Sequence, residues 1–158
     1  MMVNGSADYK SKGCLDACSG DSFRRIEDIA ATFGVPLNTI RRGFQLKGAA
    51  PWPGRERVLL WWPKPDSLRK ETDPWHNEPS EDGCEIREWH RDQAKTLEHI
   101  EACAEENCTR PTFLCERDKD FGYHYRYVGV FKMDVEASRT EGRVVWKKMP
   151  GSERLDLR

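Results

Sequence analysis

The sequence predicts an α+β protein in which an N-terminal helical pair lies on or beside a mostly antiparallel, barrel-like sheet. Three observations predict this class. Apolar residues recur every three to four positions between 22 and 44, as on one face of a helix. Residues 122–134 alternate between aromatic and polar side chains, as in a half-buried strand. Residues 92–106 carry an apolar stripe among acidic residues, which predicts one further, amphipathic helix.

The N-terminal helical pair is predicted over residues 22–48, after a flexible tail at 1–21 that has almost no bulky apolar side chains. The first helix is predicted from the spacing of Phe23, Ile26, Ile29, Ala30 and Phe33. It should end at Gly34. A second short helix is predicted between Pro36 and Gly43, because proline favours helix starts and glycine favours helix ends.

A β-rich domain is predicted over residues 55–150, followed by a second flexible tail at 151–158. Its predicted strands lie at 57–62, 84–89, 112–116, 122–134 and 143–148. The first of these runs is apolar enough to be buried on both faces. The polar, proline-rich stretch at 64–83 is expected to be a long connection, and 135–142 a loop.

The net charge of −1 conceals a strong segregation of charge along the chain. Residues 21–70 hold ten basic and five acidic side chains, whereas residues 71–108 hold three basic and twelve acidic ones. Residues 109–158 are basic again, with eleven basic and eight acidic side chains. Such polarity permits a nucleic-acid-binding face in a nearly neutral protein, since phosphates respond to local potential. An unevenly charged, solvated surface is the alternative interpretation.

The N-terminal residues and the cysteines indicate where the protein is located and whether it binds a metal cofactor. No apolar run approaches the roughly 20 residues of a membrane helix, and the N-terminus has no hydrophobic signal core. We therefore expect a cytoplasmic protein that does not bind membranes and whose six cysteines are thiols. The residues His99, Cys103, Cys108, Cys115, Cys84 and His90 could supply zinc ligands, but their spacing matches no strong zinc signature. No cofactor is predicted, with zinc as the alternative.

Residues 29–42 resemble a helix-turn-helix. The small and apolar positions of that family are occupied here by Ile29, Ala30, Phe33, Gly34, Val35 and Ile40. The resemblance implies that Leu37, Asn38, Thr39, Arg41 and Arg42 lie on a recognition helix, where asparagine pairs with adenine and arginine with guanine or phosphate. An ordinary helical hairpin packed on the sheet is the alternative.

A second resemblance covers about residues 58–149. Its elements are Trp61-Trp62-Pro63-Lys64, Trp75-x-Asn77, Ser80-x-Asp82-Gly83, and the closing strands YVGVFKMD and VVWKKM. This series resembles a β-rich module of uncharacterised bacterial and mobile-element proteins, and the closing strands are similar to those of PUA-like and SRA-like barrels. The resemblance implies binding of RNA or of modified DNA bases in an aromatic-lined pocket. A barrel whose aromatic side chains simply form its core is the alternative.

Candidate binding residues follow from this chemistry. Aromatic rings hold unpaired bases by stacking, while lysine and arginine neutralise phosphates. The stacking candidates are Trp61, Trp62, Trp75, Tyr125 and Trp146. The candidates for nucleic-acid contacts are Asn38, Thr39, Arg41, Arg42, Arg55, Arg57, Arg126, Lys147 and Lys148.

The predicted function is non-catalytic binding of nucleic acid, with DNA favoured over RNA. The sequence has no glycine-rich phosphate loop, nucleophile elbow or HExxH helix, and Glu116, Asp118 and Asp120 are more typical of an exposed turn than of a nuclease site. The alternative is a small phage or mobile-element inhibitor or adaptor that binds a host nucleic-acid enzyme by DNA mimicry. It would use the acidic segment 71–108, with Glu98, Glu101, Glu105 and Glu106 as its contacts.

Overall fold

The structure, a computed structural model, describes residues 9, 11–41, 44–45, 58–120 and 122–157, and at 44–45 the backbone only. The strands of this part of the chain are β1 Cys14–Asp16, β2 Ser22–Phe23, β3 Ile40–Arg41, β4 Phe44–Gln45, β5 Trp75–Pro79, β6 Glu85–His90, β7 Thr109–Asp118, β8 Gly122–Met133, β9 Val144–Lys148 and β10 Arg154–Asp156. The α-helices are α1 Ile26–Thr32, α2 Gln93–Glu106 and α3 Val135–Glu141, and the 3-10 turns are Leu37–Thr39 and Asp66–Leu68. No helix in these ranges combines the length and apolar composition needed to cross a membrane.

The main sheet is antiparallel and curls into a half-barrel. Its strand order is β2-β8-β9-β6-β5, and β7 pairs with β8 along nearly its whole length. Residues 58–63 run parallel to the free edge of β7, with bridges from Val58 to Thr109 and from Trp61 to Thr112. The chain then reaches β5 at the opposite edge of the sheet, where Asp66 accepts a hydrogen bond from the backbone N–H of Asn77 at 3.0 Å. This connection draws the two edges of the half-barrel together.

The prediction of a mixed α+β fold with a mostly antiparallel sheet is confirmed. The helix predicted at 92–106 is α2, which Asp92 caps by accepting a hydrogen bond from the N–H of Ala94 at 3.1 Å. At its other end Asn107 adopts the left-handed conformation of a helix C-cap, with φ of 45°. The strands predicted at 84–89, 112–116, 122–134 and 143–148 correspond to β6, β7, β8 and β9.

The alternation predicted for β8 breaks at a bulge. Tyr127 lies opposite Phe113, but the next pair along the ladder is Gly129 with Thr112, so Val128 is the extra residue. Strict alternation over 122–134 would place Tyr127 and Phe131 on one face, but they lie on opposite faces, because a single extra residue exchanges the two faces. Gly129 suits the bulge, since its φ is 132° and a Cβ there would lie 2.8 Å from Cε of Lys148.

The bulge allows one strand to serve two hydrophobic cores. The first core holds Tyr127 and Val130 of β8 with Tyr9, Leu15, Phe23, Ile29, Val58, Leu60, Trp62, Phe113 and Leu155. The second core lies on the face of the half-barrel that α2 covers, here called the inner face, and consists of Phe131, Trp61, Ile86, Ile100, Cys103, Val144 and Trp146. Neighbouring residues at 60–62 enter opposite cores, so the prediction that this run is buried on both faces is confirmed.

The prediction of a second helix in the N-terminal pair is wrong. After α1 ends at Thr32 and the chain turns at Gly34, whose φ is 66°, residues 37–39 form a single 3-10 turn and residues 40–41 form β3. The β-branched Thr39 and Ile40 favour extended backbone at this point. The carbonyl of Arg41 also accepts a hydrogen bond from the indole of Trp62 at 2.9 Å, which holds this backbone to the domain.

The two segments predicted as flexible tails contain paired strands. Cys14–Asp16 pairs antiparallel with Arg154–Asp156, and Leu15 lies opposite Leu155 with both side chains buried. Tyr9 is fully buried, and its hydroxyl donates to the carbonyl of Ser22 at 2.7 Å. A few apolar side chains suffice to order each end, because they are buried against each other and against Phe23.

Two further elements differ from the predictions. The segment predicted as a loop at 135–142 contains α3, which Asp134 caps by accepting from the N–H of Ala137 at 2.9 Å and which ends at the left-handed Gly142. The segment predicted as a connection at 64–83 contains β5, whose mixture of proline and polar residues is typical of a strand at the sheet edge.

Candidate nucleic-acid interface

Polar side chains converge on the inner face of the half-barrel where β5 meets β6. Trp75 lies opposite His90, and Asn77 lies opposite Glu88, so all four side chains share one face. The next strand places Trp146 opposite Ile86 on the same face. This edge of the sheet therefore brings together two aromatic rings, an amide, an imidazole and a carboxylate.

Asn77 is the most unusual member of this group. Its side chain is buried, with only 8% of the residue exposed, and its Nδ2 donates a long hydrogen bond of 3.5 Å to the carbonyl of Lys64. Its carbonyl oxygen Oδ1 has no hydrogen-bond partner among the residues that the structure describes. A buried acceptor without a donor costs about 1–3 kcal/mol. The amide thus presents an acceptor for a donor group that the described part of the chain does not supply.

Trp75 lies beside Asn77 on the same strand and is half-buried. The rings of His90 and His99 meet it edge to face, with centroid distances of 5.0 and 4.8 Å. These contacts fix the orientation of the indole while leaving part of its surface to solvent. A planar ligand that reached Asn77 would meet an aromatic ring already held in place.

A buried ionic network lies directly behind these two residues. Oε1 of Glu88 accepts hydrogen bonds from the indole of Trp146 at 3.1 Å and from Nε2 of His99 at 3.0 Å. The buried guanidinium of Arg110 stacks between Trp61 and Trp146, at 5.3 and 4.1 Å from the ring centroids. This network anchors β6, α2 and β7 to one another behind the site.

The network holds opposite charges at the two ends of its central hydrogen bond. Burial raises the pKa of the Glu88 carboxyl, but the charge of His99, its hydrogen bond and Arg110 together hold that pKa below its ordinary value. Burial likewise opposes protonation of His99, yet Glu88 raises the pKa of this imidazole well above 6.5. His99 is therefore protonated at neutral pH and donates to Glu88.

The His99–Glu88 pair predicts a specific dependence of stability on pH. A histidine whose pKa is raised on folding contributes its full stabilisation below the unfolded-state pKa, near 6.5, and loses it as the pH rises through the folded-state value. The difference in free energy of unfolding between wild type and His99→Asn should therefore shrink from pH 6.5 upward, by at most about 1.4 kcal/mol per pH unit. Urea denaturation at pH 6 to 9 measures it. A difference that stays constant or grows over this range would contradict the ion pair.

The predicted stacking residues separate into two groups. Trp61, Trp62 and Trp146 are buried within the two cores, where protein side chains cover their rings. Tyr125 is half-buried at the margin of the first core. Trp75 therefore differs from the others, since it is half-buried on the inner face beside Asn77, whose Oδ1 has no partner among the described residues.

The predicted nucleic-acid contacts do not form one cluster around a recognition helix. Asn38 and Thr39 lie in the 3-10 turn, and Arg41 is exposed on β3. Arg42, Arg55 and Arg57 lie outside the described residues. The remaining three cations are in ion pairs: Arg126 with Glu116 at 3.0 Å, Lys147 with Asp134 at 3.0 Å and Lys148 with Glu153 at 3.7 Å.

The acidic candidates for a protein partner lie on α2. Glu98, Glu101 and Glu105 are exposed, and Glu101 pairs with the guanidinium of Arg139. Glu106 is half-buried and accepts from the thiol of Cys108 at 3.1 Å. Their use as an inhibitory surface stays a prediction.

Of the zinc candidates, His99 and Cys103 are brought together, with Nε2 and Sγ 3.6 Å apart. No group of three or more histidine, cysteine or acidic side chains in the described ranges has the arrangement of a metal site. Zinc binding at these residues stays a prediction.

Sequence reasoning missed the polar part of the site. From the sequence, Asn77 was named only as part of the Trp75-x-Asn77 element, and neither Glu88 nor Arg110 was proposed as a binding residue. A signal was present in β6, where Glu88 lies between Ile86 and His90 on the face that alternation buries. A charged residue at a position that must be buried indicates a paired or functional group.

Comparison with known proteins assigns the fold to a family. The model of the SET and RING associated (SRA) domain matches residues 8–155, so the chain belongs to the SRA domain family. A solved structure with the same fold is "The 5-Hydroxymethylcytosine-Specific Restriction Enzyme AbaSI". The two structures superpose with a TM-score of 0.73 at 22% sequence identity, over 96% of this chain and 45% of the enzyme's chain. No curated protein sequence matches this chain. The similarity to SRA-like barrels is confirmed, whereas the comparisons show neither a helix-turn-helix nor a mobile-element origin.

Proposed function

We propose that this protein binds double-stranded DNA and takes one extruded, modified cytosine, 5-hydroxymethylcytosine, into the inner face of its half-barrel. The observation that carries the proposal is the buried carbonyl oxygen of Asn77, which has no partner in the described part of the chain. Membership of the SRA family supports DNA as the partner, and the specificity of AbaSI for 5-hydroxymethylcytosine supports the modified base.

The chemistry of Asn77 favours cytosine over thymine. The exocyclic amino group of cytosine is a donor that can satisfy the Oδ1 acceptor, whereas the equivalent position of thymine is a carbonyl that would face it acceptor to acceptor. Because Asn77 is buried in the protein, a base must leave the double helix to reach its Oδ1, and extrusion into a protein pocket provides that access. Trp75 supplies the ring against which the extruded base stacks.

The network behind the site keeps it preorganised. Glu88 uses Oε1 for Trp146 and His99, so its carboxylate holds β6 and α2 in place instead of competing for the base. Asp66 fixes the backbone of Asn77 from the other side. A site that is rigid before binding spends less of its binding energy on ordering.

We further propose that the chain acts by binding and not by cleaving DNA. The residues that match the SRA model extend over 8–155, and the likeness to the restriction enzyme spans 45% of that enzyme's chain. Under this proposal a supercoiled plasmid containing 5-hydroxymethylcytosine stays uncut when incubated with the protein and Mg²⁺.

Fluorescence anisotropy with four duplexes tests the proposed specificity. The duplexes are identical except for one central base, which is cytosine, 5-methylcytosine, 5-hydroxymethylcytosine or thymine. We expect the 5-hydroxymethylcytosine duplex to bind about tenfold more tightly than the cytosine duplex. A tenfold difference is about 1.4 kcal/mol of binding free energy, which is typical of a change at one base. Equal affinity for all four duplexes would exclude base recognition, and no binding at low salt would exclude DNA as the partner.

A further inference from the structure

An exposed tyrosine flanked by two cations lies beside the connection that leads to Asn77. Tyr123 at the start of β8 is 45% exposed, so a large part of its ring is open to solvent. Nζ of Lys64 lies 5.3 Å from the centroid of its ring, and the guanidinium carbon of Arg117 lies 5.7 Å from it. We call Lys64, Arg117 and Tyr123 the tyrosine surface.

The two cations differ from several other basic residues in having no carboxylate partner within the part of the chain that the structure describes. Arg87, Arg126, Arg139 and Lys147 all lie within 4 Å of a carboxylate. In the described ranges of the chain, neither Lys64 nor Arg117 has such a partner. Two cations without counterions beside one exposed ring leave their charge available to an anion.

The acidic residues of the adjacent turn do not cancel this charge by pairing with it. Oδ1 of Asp118 accepts a hydrogen bond from the backbone N–H of Asp120 at 2.8 Å, so this carboxylate is directed back into its own turn. The register of the hairpin places Arg117 directly opposite Tyr123, which keeps cation and ring together on one face.

The tyrosine surface is joined to the candidate base site through a single residue. The backbone carbonyl of Lys64 accepts from Nδ2 of Asn77, while the side chain of Lys64 extends to Tyr123. Lys64 therefore contacts both Asn77 and Tyr123, which brings the tyrosine surface within reach of DNA that places a base near Asn77.

We infer that the tyrosine surface binds the DNA strand next to the extruded nucleotide. The phenol ring stacks on the base that loses its neighbour, and Lys64 and Arg117 neutralise the phosphates on either side. This inference rests on the proposed function, but it concerns affinity for DNA in general, whereas Asn77 concerns the identity of one base.

Anisotropy titrations of the full chain with the cytosine and 5-hydroxymethylcytosine duplexes test it. Tyr123→Ala should weaken binding to both duplexes about tenfold, while Tyr123→Phe, which keeps the ring, should stay within about twofold of wild type. Lys64→Gln combined with Arg117→Gln should reduce the slope of log Kd against log salt concentration by about two. Since Lys64 contacts Asn77 through its backbone, this double variant leaves the base site intact.

Arg139→Gln is the matched control, because Arg139 is an exposed arginine already paired with Glu101. Its affinity and salt slope should equal those of wild type. Unchanged affinity in Tyr123→Ala, or an unchanged salt slope in the double variant, would overturn the inference while wild-type binding upholds the proposed function. A wild-type protein that binds neither duplex would overturn both.

Discussion

Glu88→Ala should lower the free energy of unfolding by about 3–5 kcal/mol, the largest stability effect that we expect from a single substitution in this protein. The carboxylate is buried and accepts from both His99 and Trp146. Its removal deprives the guanidinium of Arg110, which is also buried, of the negative charge that acts on it most strongly. An unpaired charge in this position cannot be solvated without opening the second core.

Chemical denaturation of wild type and variant at pH 7 measures this effect. Glu85→Ala is the matched control, because Glu85 lies on the same strand and also forms an ion pair, with Arg87, but is half-exposed on the other face. Pairs at that exposure contribute about 0–1 kcal/mol. If the two variants lost similar free energy, Glu88 would not be the anchor of the network.

Asn77→Ala should abolish most of the preference for cytosine bases over thymine. We expect its affinity for the 5-hydroxymethylcytosine duplex to fall by about 1–3 kcal/mol, since the base contact is lost. Its affinity for the thymine duplex should change little, because thymine has no amino group to donate to Oδ1 and phosphate contacts supply most of the binding to an unrecognised base. The ratio of the two dissociation constants is the quantity to measure.

The expected loss of DNA affinity in Asn77→Ala does not come from a less stable protein. Oδ1 of Asn77 has no partner to lose in the described part of the chain, so Asn77→Ala should leave the free energy of unfolding nearly unchanged or raise it. Gln93→Ala removes a comparable but exposed amide from α2 and should leave both dissociation constants as in wild type. An Asn77→Ala protein that keeps the wild-type ratio would show that this amide does not read the base.

The sheet was predictable because its strands follow simple alternation. The aromatic and polar residues of β8 and the amphipathic stripe of α2 each report a buried face directly. The exchange of faces at Val128 was not predictable, since a bulge depends on the partner strand and not on the local pattern. The pairing of β1 with β10 was missed for the same reason, because its two strands come from opposite ends of the chain.

The candidate site likewise has one part that the sequence predicted and one part that only the structure reveals. Trp75 was identified by residue type, but the tryptophans predicted with it turned out to be buried in the cores. Residue type alone cannot separate a ring that binds a ligand from a ring that fills a core. The functional signal of Asn77 is an acceptor left without a partner, and only the three-dimensional arrangement of its neighbours reveals it.

The central claim is that a modified cytosine leaves the duplex and occupies the inner face of the half-barrel. A crystal structure of the protein with a duplex containing one 5-hydroxymethylcytosine tests it most directly. We predict that this base lies outside the helix, stacked on Trp75, with its exocyclic amino group about 3 Å from Oδ1 of Asn77. A base that remains stacked and paired within the bound duplex, or that lies in a site away from Asn77, would contradict the claim.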